Sequence, residues 1–116
     1  MNEPILTVTA TEVDGVTVLT AVGEIDHDSS GMLAAAAPDP VPGRLVIDLT
    51  GVTFCDSGGL SLFLDLHKRA AANGGQVRLA GAPDAVLAIM RTTNLDRILA
   101  LYRTVADAVH DPSSAS

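Results

Sequence analysis

The run Leu45-Val-Ile-Asp-Leu-Thr-Gly-Val-Thr-Phe-Cys-Asp-Ser-Gly-Gly-Leu60 decides the fold. Leu45 to Leu49 is a short apolar stretch containing β-branched Val46 and Ile47, bounded by Arg44 on one side and Thr50-Gly51 on the other. Such a stretch reads as a strand buried on both faces. Residues 50–55 then read as a loop. Asp56 stands where a helix needs an N-cap, because its carboxylate can accept from the unpaired N–H groups of the first turn. From Ser57 to Asn73 the apolar residues recur at helical spacing, and Gly74-Gly75 ends the helix.

Upstream, Ile5 to Val22 holds two β-rich runs separated by Asp14-Gly15. Leu6, Val8 and Ala10 alternate with Thr7, Thr9 and Thr11 in the first run, and Val16, Val18 and Val22 share a side in the second. An Asp-Gly between two such runs marks a hairpin. Asp28-Ser29-Ser30 offers N-caps for a short helix over Met32–Ala37, which must stop by Pro38. Downstream come a strand over Gln76–Ala80 and a helix over Asp84–Arg91 with Pro83 in its first turn. A short strand over Leu99–Tyr102 and a final helix over Val105–His110 follow. The order ββαβαβαβα predicts an α/β fold: a mixed sheet of four to five strands, started by the hairpin, with helices packed against it. Residues 1–110 are expected to form one domain, and residues 111–116 a flexible polar tail.

Composition narrows the function. The 116 residues carry 14 acidic and 7 basic side chains, a formal charge of −7, with no basic cluster. Direct nucleic-acid contact needs Lys and Arg to neutralise phosphates, so it is not expected, whereas a partner with a basic face is favoured. The core must be aliphatic, since there is no Trp, one Tyr and two Phe. Cys55 is the only cysteine, which excludes an intrachain disulfide and suits a reducing compartment. Met1-Asn2-Glu3-Pro4 does not open a secretory signal, and no apolar run nears the roughly 18 residues that span a bilayer. A cytoplasmic protein without membrane insertion is expected, and nothing demands more than a monomer.

No catalytic machinery is legible. His27, His67 and His110 lack ligand spacing, neither a dinucleotide nor a nucleotide phosphate loop is present, and no cofactor is expected. Cys55 reads as a small buried hydrophobe, with no nearby cation to stabilise a thiolate. Asp48 caps the end of its strand or orients the loop that follows. Asp26 is either a turn former or a surface contact.

A helical projection at about 100° per residue from Ser57 puts Leu60, Phe63, Leu64, His67, Ala70 and Ala71 on one arc. Ser57 falls at its solvent border, between Leu64 and Lys68. Leu62 lies in the polar arc and Leu66 at its edge, where the pair is either a partner contact or packing against a neighbouring loop. The helix N-terminus, with free N–H groups and a partial positive charge, favours a phosphate on Ser57.

The Leu45–Leu60 run resembles the signature of the anti-sigma factor antagonists of the STAS family. That pattern is an apolar strand ending in Asp-Leu, then Val-x-Phe-x-Asp-Ser-(Ser/Thr)-Gly-Leu. Gly23-Glu-Ile-Asp26, Asn73-Gly-Gly75 and Thr93-Asn-Leu-Asp-Arg-Ile98 follow the family order, so the resemblance spans about residues 5–110. It implies a switch rather than an enzyme. The unphosphorylated protein captures an anti-sigma factor, an ATP-dependent serine kinase, and releases its sigma factor. Phosphorylation of the serine after the Asp, here Ser57, switches binding off, and a phosphatase resets it. The partner surface so implied comprises Asp26, Asp56, Ser57, Gly58, Ser61, Leu62 and Leu66.

A phosphoryl group adds roughly −1.5 to −2 charge to an acidic surface. A penalty of about 3–4 kcal/mol weakens binding a few hundredfold. Gly58 replaces the family's second hydroxyl residue, leaving Ser57 the only hydroxyl of the motif. The first helix is also shorter than the family's. Two other STAS roles compete: an accessory subunit of a membrane lipid transporter, and a small-ligand-sensing module.

Overall fold

Asp14 and Gly15 both adopt positive φ, 50° and 79°, the twist that a two-residue hairpin turn requires. Strands β1 (Leu6–Val13) and β2 (Val16–Ile25) therefore pair antiparallel from Leu6 opposite Gly23 to Val13 opposite Val16. The computed structural model describes residues 5–112. Beyond the hairpin come α1 (Ser30–Ala36), β3 (Arg44–Cys55), α2 (Ser57–Ala72), β4 (Gln76–Ala80) and α3 (Asp84–Thr92). A 3-10 turn over Leu95–Arg97, β5 (Ala100–Tyr102) and α4 (Val105–His110) complete the order. The expected α/β arrangement holds, with five strands in the spatial order β1-β2-β3-β4-β5.

Strands β2 to β5 run parallel, each joined to the next by a helical crossover. Parallel crossovers share one handedness, so successive steps in one direction put their helices on one face. There Leu33 of α1, Phe63, Leu66 and Ala70 of α2, and Val86 and Met90 of α3 close on Leu19, Leu45, Ile47, Leu49 and Leu79 of the sheet. On the other face, α4 buries Ala108 and Val109 against Val16, Val18, Val46 and Ala80. Because α4 is short, the described residues cover that face only at one end, and Val22 and Phe54 stay about half exposed.

Two expectations need correction. Residues 50–55 are not a loop, for β3 continues to Cys55 beside a β2 that itself runs on to Ile25. Between Thr20 and Val22, and again between Gly23 and Glu24, β3 takes one residue more than its partner. The first sets Leu49 and Thr50 against Ala21, the second leaves Thr53 over, and together they carry the buried side from Leu49 to Val52 and then to Cys55.

Nor does a loose tail begin at residue 111. Arg78 Nη1 donates to the Ala108 and Asp111 carbonyls at 2.7 and 2.8 Å. The Tyr102 hydroxyl donates to Asp111 Oδ2 at 2.6 Å. The rest of the expected tail, 113–116, lies outside the described residues, as does the opening stretch 1–4.

Candidate functional site

Glu24-Ile25 and Phe54-Cys55 lie side by side at the parallel ends of β2 and β3, and both chains turn there. The Asp56 N–H extends the ladder by donating to the Ile25 carbonyl at 3.1 Å. Asp56 has extended backbone angles and caps α2 as expected. Its Oδ1 accepts from the Gly58 and Gly59 N–H groups at 2.8 and 3.3 Å. Its Oδ2 accepts from the His27 N–H at 3.2 Å. One carboxylate thus joins the first turn of α2 to the loop between β2 and α1.

That loop is held from within. Asp26 Oδ1 accepts from the Ser29 N–H at 2.7 Å, while the Asp26 N–H donates to Ser29 Oγ at 2.9 Å. The Ser29 hydroxyl, 6% exposed, donates onward to the Glu24 carbonyl at 2.7 Å. The hydrogen bonds from Ser29 hold the Asp26 carboxyl below the usual carboxylate range. The Asp26 side chain forms the turn, and the residue stays partly exposed beside it.

Ser57 is the exposed first residue of α2. The glycines behind it serve close packing. A Cβ at Gly59 would stand 2.7 Å from both Cys55 Sγ and Ile25 Cγ2, so only glycine lets the helix seat on the strand ends. A Cβ at Gly58 would stand 2.8 Å from His27 Cα. The helix N-terminus was expected to offer free N–H groups to a phosphate, but the Gly58 and Gly59 amides are bound to Asp56.

Asp26, Asp56, Ser57 and Gly58 are thus brought together, and Ser61 is exposed one turn further along α2. Leu66 does not belong with them. It is 1% exposed and part of the core, and Leu62 is partly buried against the same cluster. Ala71, assigned to the core arc, is exposed. The inward face of α2 is centred on Phe63, with Gly59, Leu66 and Ala70 beside it, because the helix leans towards β4. His67 is half-buried as expected, and its Nδ1 accepts from the Val77 N–H at 3.2 Å.

Two residues of the site escaped the sequence reading. His27 contributes backbone groups, its N–H to Asp56 and its carbonyl to the Ser30 hydroxyl, which carry no side-chain signal. Ser29 was read as a helix cap, although Asp-x-x-Ser spacing suits a reciprocal side-chain-to-backbone turn of this kind.

The remaining chemistry-bearing residues are structural. Asp48 Oδ1 accepts from the Thr50 N–H at 3.0 Å and from its hydroxyl at 2.6 Å, a contact within β3 itself. Cys55 is buried, and burial, followed by the Asp56 charge, pushes its thiol up to about 12. Among the described residues no cluster of His, Cys, Asp or Glu could hold a metal, and no helix is long and apolar enough to cross a membrane. A cavity of about 260 Å³ lies at the other end of β3, lined by Arg44, Val46, Arg78 and Val109.

Comparison with known proteins gives, among others, matches that cover from 63% to 96% of the chain. The family model described as the STAS domain matches residues 7–108. The anti-sigma F factor antagonist of Paenibacillus polymyxa is 25% identical, over 82% of this chain and 85% of its own. The intermembrane phospholipid transport system binding protein MlaB of Escherichia coli is 37% identical, over 63% of this chain and 75% of its own. Among solved structures, an anti-sigma factor antagonist from Mycobacterium paratuberculosis superposes with a TM-score of 0.81 at 28% identity, covering 96% of this chain and 97% of that one.

Proposed function

The chain belongs to the STAS domain family, and from that membership we propose that it is an anti-sigma factor antagonist controlled by phosphorylation of Ser57. In its unmodified form it binds an anti-sigma factor serine kinase in the cytoplasm and frees the sigma factor that the kinase holds. The kinase transfers the γ-phosphoryl group of ATP to Ser57 Oγ, whose proton leaves, and ADP is released. A phosphatase restores the hydroxyl. The protein is the substrate of an enzyme and has no catalytic role of its own.

The observation that carries this reading is the exposed hydroxyl of Ser57 at the head of α2, beside a carboxylate fixed by three N–H groups. The likeness to antagonists from two genera supports it. Asp56 also supplies the sense of the switch. The Gly58 and Gly59 amides are taken by Asp56 and are not open to a phosphate on Ser57, which puts its charge on the residue next to a carboxylate. Added to a chain of formal charge −7, it repels acidic groups of the docked partner and puts a strongly hydrated group into the contact. The partner surface comprises Asp26, Asp56, Ser57, Gly58, Ser61 and the outer edge of Leu62.

Incubation with the purified kinase and ATP should add one phosphate, seen as a single mass increment that is absent in Ser57→Ala. Ser57→Asp should be retained far less than wild type on immobilised kinase. Normal phosphorylation of Ser57→Ala, or equal retention of Ser57→Asp, defeats the reading.

The likeness to MlaB favours a second reading, an accessory subunit of a membrane lipid transporter. Co-purification with a permease, and no phospho-Ser57 in protein recovered from its own cells, would select it.

A further inference from the structure

We propose that Gly58 is a positioning residue that sets which partner the Ser57 face accepts, by letting the loop of residues 26–29 lie directly on the first turn of α2. The inference rests on the docking reading above and goes beyond it.

A hydrogen atom is all that separates the Gly58 Cα from the backbone of His27. A Cβ there would stand 2.8 Å from His27 Cα, 3.1 Å from the His27 nitrogen and 3.1 Å from Asp56 Oδ1. The first two neighbours are main-chain atoms, so a side chain at 58 is accommodated only by moving the loop or the helix start. Gly59 pins the helix start against Cys55 and Ile25, and the Asp56 N–H pins it to β2. The loop is the part that yields.

When it moves, the bond from the His27 N–H to Asp56 Oδ2 is the first lost, since it already spans 3.2 Å. The Asp26–Ser29 turn survives, because its hydrogen bonds are internal or run to Glu24. The tip of the loop, His27 and Asp28, therefore shifts relative to Ser57 while Asp26 and Ser29 stay tied to the end of β2. The usual helix preference is thereby reversed: at an open position in a helix, alanine is favoured over glycine, whereas here the added methyl forces the loop away.

The family pattern places Ser or Thr at this position. With a side chain at 58 the tip of the loop is displaced from its place over α2, so a kinase fitted to the glycine arrangement meets a shifted surface beside Ser57.

The test uses the full chain in three forms: wild type, Gly58→Ala and Gly58→Ser. Amide hydrogen exchange by NMR should find the His27 N–H protected in wild type and exchanging at least tenfold faster in both variants, with β3 and β4 amides unchanged. The Tm of Gly58→Ala should fall. An unprotected His27 amide in wild type, or a raised Tm with His27 protection retained in Gly58→Ala, overturns the proposal.

For specificity, each form is titrated against a panel of purified anti-sigma factor serine kinases: the cognate one, and others that act on antagonists with Ser or Thr at the matching position. Gly58→Ser should lose at least tenfold for the cognate kinase and gain for at least one other. A uniform loss across the panel, with rank order kept, overturns specificity and leaves a purely structural role. If no kinase binds wild type, the docking reading fails and the specificity assignment falls with it. His27 exchange then still reports on the loop.

Discussion

Removing the Asp56 carboxylate should cost stability in a graded, chemically interpretable way. In Asp56→Ala the Gly58 and Gly59 amides lose their shared acceptor. Loss of an N-cap of this kind costs about 1 kcal/mol. The negative charge at the helix start contributes about 0.3–1 kcal/mol more. The His27 amide is exposed and water replaces its acceptor, so its share is ~0.5 kcal/mol at most. The total is about 1.3–2.5 kcal/mol, with a Tm lowered by roughly 5–10 °C at this chain length.

Asp56→Asn keeps one oxygen for the two glycine amides, and asparagine is an equally good cap. It loses the charge and turns an N–H donor towards His27, a cost of about 0.5–1 kcal/mol. Urea unfolding of the three proteins, with m unchanged, measures both differences. A loss below ~0.5 kcal/mol for alanine would mean that the cap is not holding the helix start. Equal losses for asparagine and alanine would mean that charge alone matters and the three-way geometry does not.

Gly59→Ala should destabilise by about 1–3 kcal/mol despite alanine's helix preference, through overpacking against Cys55 and Ile25, as chemical denaturation will register. Leu66→Ala should cost about 2–5 kcal/mol as a core truncation, and partly exposed Leu62→Ala much less. If both behave as mild surface changes, the placement of α2 is wrong. Cys55 should resist iodoacetamide at pH 8 until the protein is unfolded. Its thiol pKa is raised from 9.0 to about 12, so its contribution to stability is complete below about pH 9 and is lost as the pH climbs towards 12. Asp26 has a lowered pKa, so its contribution is complete above the ordinary carboxylate range and is lost as the pH falls through the folded value. Asp26→Asn should flatten the acid limb of a stability–pH curve, and an unchanged limb would refute the turn role.

How far the sequence led depends on whether a local signal had a local cause. Asp14-Gly15 is legible because the positive φ that its turn needs favours just those residues. Leu45–Leu49 is legible because a strand covered on both faces has no polar side. Residues 50–55 were misread because the two bulges replace alternation with a step of three, and Thr50, Gly51 and Thr53 then look like loop residues. What keeps them in a strand is β2, a neighbour invisible to a local reading. Leu66 was misread for a similar reason. Measured from Ser57, the buried arc of α2 runs from about 180° at Leu66 to about 300° at Leu60, and the helix's lean towards β4 sets that centre. Ser57 and Asp56 were found because capping chemistry is written in the residue itself. The His27 amide, a backbone group brought in by folding, was not.

The continuity of β3 bears on how a signal at Ser57 is transmitted. The strand passes from the middle of the sheet to Cys55 without a hinge, and one residue later the helix begins. Ser57 therefore stands at the end of a beam tied to β2 as far as Cys55 and to β4 over Arg44–Asp48, and a change at its tip is taken up locally before it meets the doubly paired part of the strand. A signal confined in this way is read only by whatever touches that spot. It also works in both directions: whatever factor a phosphoryl group takes from the affinity of a docked partner, the docked partner takes from the equilibrium for keeping the phosphoryl group.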